Sequence, residues 1–433
     1  MLLVFVALCI LITALLFGIP VAFAFMAATI FMVLVQGYDP TFLLPYGYSK
    51  LNSMVLLAIP LFIVTGNLMN AGNIGDKLVD FVDSFVGRIK GGLAIVTTVS
   101  CAVFGSITGS AFATASCIGS IMKTKLFKAG YSRGFVGALL ANASVLGLLI
   151  PPSGIMIIYA WLGRQSVLAT FLAIVAPGIM MTVLLSVTSI VLLRNDKNVK
   201  VMDKIPLKEV ALIAARRGFK AFPALLLPVL ILGGIYGGIM TPTEAAAVGS
   251  VYAIPVGFLI YKGLKWKNFK ETLIESAKTT GVIMVMFFSV MILSRIYIME
   301  DLPGKIMDIL MSVSSNKYVI LFMLNIFMVI FGMLMDDVSA CSLCTPILLP
   351  VAMKLGVDPV QFAAILAVNL GMGNITPPTA PLLFVGGSMA GARLDEMMRP
   401  VVAFILFAWI PTLFITTYIP EFSLWLPNLI LGK

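Results

Sequence analysis

The sequence predicts an all-α polytopic membrane protein made of two inverted repeats, each with about five crossings plus a re-entrant helical hairpin. Three observations lead there. The chain has 433 residues, 60% of them hydrophobic and only 11% charged, more apolar material than a soluble core requires. Its net charge of +10 is carried by loops between apolar runs, the pattern of cytoplasmic loops in a membrane protein and not of a nucleic-acid-binding face. Lastly, two apolar segments contain stretches that no regular helix can hold. They are Asn142-Ala-Ser-Val-Leu-Gly-Leu-Leu-Ile-Pro-Pro-Ser153 and Asn369-Leu-Gly-Met-Gly-Asn-Ile-Thr-Pro-Pro-Thr379.

The paired prolines remove backbone donors and clash with the preceding turn, and the glycines weaken the helix further. Broken backbone at membrane depth is tolerated only inside protein or beside a water-filled cavity, so both stretches read as site-forming. Pro151 and Pro377 are 226 residues apart, and Asn142 and Asn369 are 227 apart.

Residues 1–35 are apolar and interrupted by Gly18-Ile-Pro20, which gives two short tilted spans. No Lys or Arg precedes the first, and no small-residue cleavage site follows it, so it reads as a retained span and not a signal peptide. Residues 52–70 are a third span, with Pro60 inside. Residues 73–90 set Ile74, Leu78, Phe81, Val82 and Phe85 against Asp76, Lys77, Asp80 and Arg88, an amphipathic helix suited to lie along the interface.

Residues 91–122 are flanked by Arg88 and Lys90 on one side and by Lys123, Lys125, Lys128 and Arg133 on the other, which puts both ends in the cytoplasm. Two crossings of ~20 residues each do not fit that length. A hairpin that enters and returns does, with the polar, glycine-rich 105–110 as its turn. Residues 134–161 then cross outward through the first broken stretch, and 167–193 return.

Arg194, Lys197, Lys200, Lys204, Lys208, Arg216, Arg217 and Lys220 mark 194–220 as a cytoplasmic loop. Residues 221–240 and 243–261 go out and back, with Gly233, Gly234, Gly237 and Gly238 offering small-residue spacing for close packing. Residues 262–278 are basic and read as cytoplasmic again. Residues 281–299 cross outward, 302–313 are a second amphipathic stretch, and 318–352 a second hairpin turning at 332–339. Residues 361–389 cross inward through the second broken stretch, and 398–419 go out. An odd number of crossings per half turns the second copy upside down. Further matches support the repeat: Phe104-Gly105 with Phe331-Gly332, Lys128-Ala-Gly130 with Lys354-Leu-Gly356, and Lys77-Leu-Val-Asp80 with Lys305-Ile-Met-Asp308.

Histidine is absent, which removes His-based triads, proton relays and His-rich metal sites. Cys341 and Cys344 form a C-x-x-C without a second pair and read as one face of a packed helix. No His-x-x-x-Asp metal pattern and no supported serine-lysine pair argues for an intramembrane enzyme. What remains is a secondary transporter, whose marks are inverted repeats, broken helices and a midplane site.

Half-helix N-termini suit an anionic substrate group, and free carbonyls and hydroxyls suit a hard monovalent cation such as sodium. The first candidate sodium site is Thr108, Ser110 and the loop 147–152, with Gly147, Ile150 and Pro152 as ligands. The second is Asp336 or Asp337 with Gly373, Asn374 and Thr376, because an intramembrane carboxylate is costly and therefore a functional candidate. Ser110, Asn142, Ser153, Asn369 and Thr379 are the candidate substrate contacts. Arg295 can pair with a carboxylate or snorkel from the end of its span.

Several of these motifs together resemble a known family. Gly18-Ile-Pro20, Ile59-Pro60-Leu-Phe62, the turn 105–110, Pro151-Pro-Ser-Gly154, the stretch 238–245, Met335-Asp336 and Asn374-Ile-Thr-Pro-Pro378 are similar over the full length to the large membrane subunit of tripartite ATP-independent periplasmic (TRAP) transporters. Thr108 stands where the family motif carries serine, and either hydroxyl can ligate sodium. The resemblance implies sodium-coupled uptake of a small organic acid delivered by a periplasmic substrate-binding protein, with N-acetylneuraminate favoured over a C4-dicarboxylate. It implies a small four-span membrane subunit as partner, a place among the lipids of the bacterial inner membrane, no nucleic acid and no organic cofactor. It also implies an elevator.

The expected division follows. Residues 1–72 and 221–280 are scaffold helices, and 73–90 an amphipathic arm. Residues 91–193 are one transport half (hairpin 91–128, broken helix 134–161), and 194–220 a cytoplasmic loop. Residues 281–317 are a span and arm, 318–420 the other transport half (hairpin 318–354, broken helix 361–390), and 421–433 a tail. Both termini are expected on the periplasmic side. The alternative is a stand-alone divalent-anion/sodium symporter of similar architecture, which would need no binding protein.

Overall fold

The computed structural model describes residues 2–86, 89–200, 207–377 and 380–432, and within them the chain is all helical. Eight helices among the described residues are long and apolar enough to cross a membrane. A ninth span arises if Arg133–Leu149 and Gly154–Gly163, bent by 44° at the first break, count as one. One continuous apolar core runs through both halves.

The first hairpin is Gly92–Thr108 and Ala111–Lys128. Its turn is two residues. Gly109 takes φ +60°, a left-handed cap open to glycine at no steric cost, and returns its N–H to the Gly105 carbonyl at 2.8 Å. Ser110 is extended and caps the second helix by accepting from the Ala113 N–H. The second hairpin is Lys317–Leu334 and Asp337–Lys354. Here Met335 is extended and Asp336 is the cap, accepting from the N–H groups of Val338 at 3.1 Å and Ser339 at 3.2 Å.

Both broken helices form where the prolines require it. The first runs Arg133–Ser144, Leu146–Leu149 and Gly154–Gly163, with Ile150 and Ser153 extended in the gap. The second runs Pro359–Gly373 and Pro381–Ala390, with Ala380 at φ +29° before the restart. The amphipathic arms are Ile74–Val86 and Leu302–Val313. In the first, Ile74, Leu78, Val79 and Val82 are buried.

Three segments depart from the expectation. The basic stretch 262–278 is non-helical only over 262–265, because Trp266–Met299 is one helix of 34 residues. Charge does not break a helix. Thr272 and Ser276 are buried one turn apart while Lys267, Lys270, Glu271, Glu275 and Lys278 are exposed, and the Asn268 side chain accepts from the Lys265 N–H at the start. Likewise Leu207–Tyr236 begins inside the expected loop 194–220. The expected tail 421–433 is instead largely the helix Pro420–Leu431, opened by a proline in its first turn and burying Ser423 and Pro427. Part of the loop, 201–206, and the end of the first arm, 87–88, lie outside the described residues.

Candidate functional site: two hairpin tips on two interrupted helices

The tip of the first hairpin rests on the first break through backbone. A Cβ on Gly105 would lie 2.6 Å from the Gly147 Cα, and one on Gly147 would lie 2.7 Å from both the Ser110 carbonyl oxygen and the Thr114 hydroxyl. One on Gly109 would meet the Pro152 carbonyl oxygen at 2.8 Å, and the Gly154 N–H donates to the Gly109 carbonyl at 3.2 Å. Small residues permit this approach, and no larger side chain fits. The second hairpin repeats it: a Cβ on Gly373 would lie 2.5 Å from the Gly332 carbonyl carbon. Gly105 pairs with Gly147 as Gly332 pairs with Gly373.

At the first tip, oxygens converge. The Thr108 hydroxyl is 3.2 Å from that of Thr114 and 3.4 Å from the Ser110 carbonyl, to which Thr114 donates at 2.8 Å. The Ser153 hydroxyl is fully buried in the adjoining gap without a partner. Buried polar atoms are seldom left unpaired, so such an atom marks a place for an ion, a water or a ligand. These are neutral hard oxygens, the donor set a sodium ion requires. Of the residues expected here, Thr108, Ser110, Gly147 and Pro152 are brought together. The Ile150 side chain packs on the helix Val167–Leu193, its Cδ1 2.6 Å from where a Cβ on Gly178 would sit. Thr114 belongs to the cluster and was not expected. Its only signal is a hydroxyl one helical turn after Ser110.

The second tip differs. Asp336 spends its carboxylate on its own helix start, accepting also from the Ser339 hydroxyl. It borders a cavity of about 720 Å³ with Pro20, Lys278, Gly281 and Met286. Asp337 is buried, 5% exposed. Across the tip, Asn374 is wholly buried with both amide atoms unpartnered. Thr376 donates to the Met372 carbonyl at 2.6 Å. Thr379 lies outside the described residues.

The two asparagines that open the broken stretches hold helices together. Asn142 donates to the Ala138 carbonyl at 2.8 Å and accepts from the Trp409 indole N–H at 2.9 Å. Asn369 donates to Asn325 at 2.9 Å, which in turn donates to Thr417 at 3.0 Å; the Asn369 carbonyl oxygen stays unpartnered. Trp409 sits in a π-helical turn, Ile405–Trp409, and its ring lies 2.9 Å from where a Cβ on Gly371 would be. It therefore touches both interrupted helices, a role with no signal in the sequence. π-turns of this kind recur near functional sites.

The all-helical fold is one that solved membrane proteins share. The chain superposes on the Alcanivorax borkumensis YdaH transporter (TM-score 0.56, 15% identity, 86% of each chain). It also superposes on the Neisseria gonorrhoeae MtrF efflux pump (TM-score 0.55, 13% identity, 87% of this chain and 84% of that one). Both likenesses concern fold alone.

Sequence gives the family. Residues 8–422 match the family described as the tripartite ATP-independent periplasmic transporter, DctM component, and the chain belongs to it. It is 36% identical over 373 residues to the C4-dicarboxylate TRAP transporter large permease protein DctM of Pseudomonas aeruginosa, covering 86% of each. It is 33% identical over 420 residues to the sialic acid TRAP transporter large permease protein SiaM of Vibrio cholerae, covering 96% of each. It is 32% identical to the isethionate TRAP transporter permease protein DctMQ of Oleidesulfovibrio alaskensis, covering 93% of this chain and 63% of that protein.

Proposed function

We propose that this TRAP large permease imports a small organic anion by coupling it to sodium, receiving it from a periplasmic binding protein. The observation that carries the reading is the paired seating of hairpin tips on helix breaks, Gly105 on Gly147 and Gly332 on Gly373. Each seat gathers backbone carbonyls, free helix ends and unpartnered buried oxygens. The Thr108, Ser110 and Thr114 oxygens form the first sodium cradle with Gly147, Pro152 and Ser153 beside it. Asp336 or Asp337 with Gly373, Asn374 and Thr376 forms the second. The anion sits between them, near Ser110, Ser153 and the stretch 374–377.

The two hairpins and interrupted helices move as one transport body against the scaffold helices, in an elevator. The relatives named above carry a C4-dicarboxylate, sialic acid and isethionate, all small organic anions. N-acetylneuraminate is the first candidate here and a C4-dicarboxylate the second. A small membrane subunit works beside this permease in the complex we propose.

The test is uptake of labelled N-acetylneuraminate, succinate and isethionate into proteoliposomes holding this chain with its small subunit. The binding protein and an inward sodium gradient are each added or omitted. Uptake that requires both is the expected result. Uptake that ignores the sodium gradient would sink the coupling, and uptake without the binding protein would favour the stand-alone symporter.

A further inference from the structure

Positive-inside asymmetry leaves one end of the bundle with few cations to spare. Arg164 follows the helix Gly154–Gly163 and precedes Val167–Leu193, whose far end meets the basic loop at Arg194. Arg295 lies near the end of Trp266–Met299, remote from Lys267 and Lys270 at its start. Both are therefore at the end of the molecule away from the basic loops. There an open cleft of about 570 Å³ is bordered by Arg164, Thr345, Leu349, Pro350, Met353 and Lys354, and by Ile298, one turn after Arg295. Beyond it, the Arg295 guanidinium is 5.6 Å and the Lys50 ammonium 5.4 Å from the centre of the Tyr46 ring.

Arg164, Arg295 and Lys354 are exposed, and none of the four cations is ion-paired among the described residues. Three carboxylates of that end are engaged elsewhere, and the exposed Asp301, Asp308 and Glu421 form no ion pair with these cations. Glu300 accepts from Tyr38, Gln36 and Lys305, Asp39 from the Thr41 N–H and Asp358 from the Val360 N–H. Arg164 also holds a left-handed backbone, φ +53°, a conformation that a side-chain-bearing residue adopts only at a cost. Helix C-termini favour cations, which accounts for Lys50, Arg164 and Lys354 one by one, each at its own helix end. It does not account for Arg295, nor for two unpaired cations lining one apolar cleft with two more just beyond it.

We propose that this cleft is an anion vestibule on the non-cytoplasmic face, where a small carboxylate or sulfonate substrate collects before it reaches the hairpin tips; the route rests on the transport reading above. Cations lining a cleft with low-dielectric walls concentrate anions and speed their capture, an effect that salt screens.

The local potential is read with Met353→Cys in a Cys9→Ala background. The rate of modification by anionic 2-sulfonatoethyl methanethiosulfonate is divided by that of the cationic trimethylammonium analogue, and neutral methyl methanethiosulfonate normalises access. Combining Arg164→Gln, Arg295→Gln and Lys354→Gln should lower that ratio about tenfold, three nearby charges acting through mostly aqueous surroundings. The same triple variant, in the full complex, should raise KM for the transported anion at low salt with kcat retained, and should flatten the salt dependence of KM.

An unchanged ratio overturns the vestibule. A falling ratio with an unmoved KM overturns the substrate route and points to docking of an acidic partner face. If the wild-type complex takes up none of the three anions while the ratio still falls tenfold, the anion site stands and the transport reading fails.

Discussion

A Cβ on Gly373 has nowhere to go, because the Gly332 carbonyl carbon and Cα lie 2.5 and 2.6 Å from it. Overpacking of this kind costs about 1–3 kcal/mol and shifts backbone. Gly373→Ala should lose most uptake and melt earlier in detergent, whereas Gly281→Ala, with nothing within 4 Å, should keep both; equal behaviour of the two would remove the seating argument. Thr114→Val tests the first cradle. Losing one hydroxyl partner costs about 1 kcal/mol, so the sodium concentration for half-maximal uptake should rise about fivefold. A sodium titration of uptake unchanged by the substitution would dismiss Thr114 as a ligand. At this scale the prolines and glycines of the breaks were legible, because they act through their own backbone. Thr114, Trp409 and Asn325 were not, because their importance comes from what a distant segment brings to them.

Among the elements, the link at the end away from the basic loops is a carboxylate clamp. Glu300, just after Trp266–Met299, accepts from the Tyr38 hydroxyl at 2.5 Å and from Gln36 at 3.0 Å. It thereby ties the long helix to the end of Val21–Gln36. The Tyr38 hydrogen bond, followed by the Lys305 charge, holds the Glu300 carboxyl below its ordinary range, and the same bond pushes the Tyr38 hydroxyl up to about 12. A depressed carboxyl stabilises the fold above its unfolded value, about 4.3, and that contribution is lost as pH falls through the lower folded value. Melting followed from pH 6 to pH 3 should therefore fall less steeply for Glu300→Gln than for the wild type. Parallel curves would mean that the clamp carries no stability. Elements were the best-read scale: both hairpins and both arms lie where periodicity and turn residues put them. The misreadings concern where helices begin and end: charged stretches were not expected to be helical from Trp266 and from Leu207, and the apolar tail after Ile419 was not expected to form Pro420–Leu431.

For the whole molecule, the first arm is the joint to watch. Arg217 on Leu207–Tyr236 reaches Asp83 at 3.2 Å, while Lys125 at the end of the first hairpin reaches Asp80 at 3.0 Å. Both ion pairs are partly exposed and contribute little to stability, about 0–1 kcal/mol. Their interest is placement, since one arm holds a helix assigned to the scaffold and one assigned to the moving body. Bridging Asp80→Cys to Lys125→Cys with a short reducible bis-thiosulfonate should abolish uptake, and dithiothreitol should restore it. Full uptake in the bridged protein would exclude movement of the hairpin against the arm.

The contrast between the two tips has an electrical consequence. Thr108, Ser110, Thr114 and Ser153 offer only neutral oxygens, whereas Asp336 and Asp337 bring carboxylates. If the two proposed cradles hold sodium, an ion in the first would keep its charge uncompensated, and one in the second would be matched by a single ionised carboxylate. Carrying an unmatched charge across the bilayer is worth about 2.3 kcal/mol per 100 mV. An interior-negative potential would thus pull the loaded first cradle inward and leave the second indifferent, so that the membrane voltage acts on one half of the molecule alone.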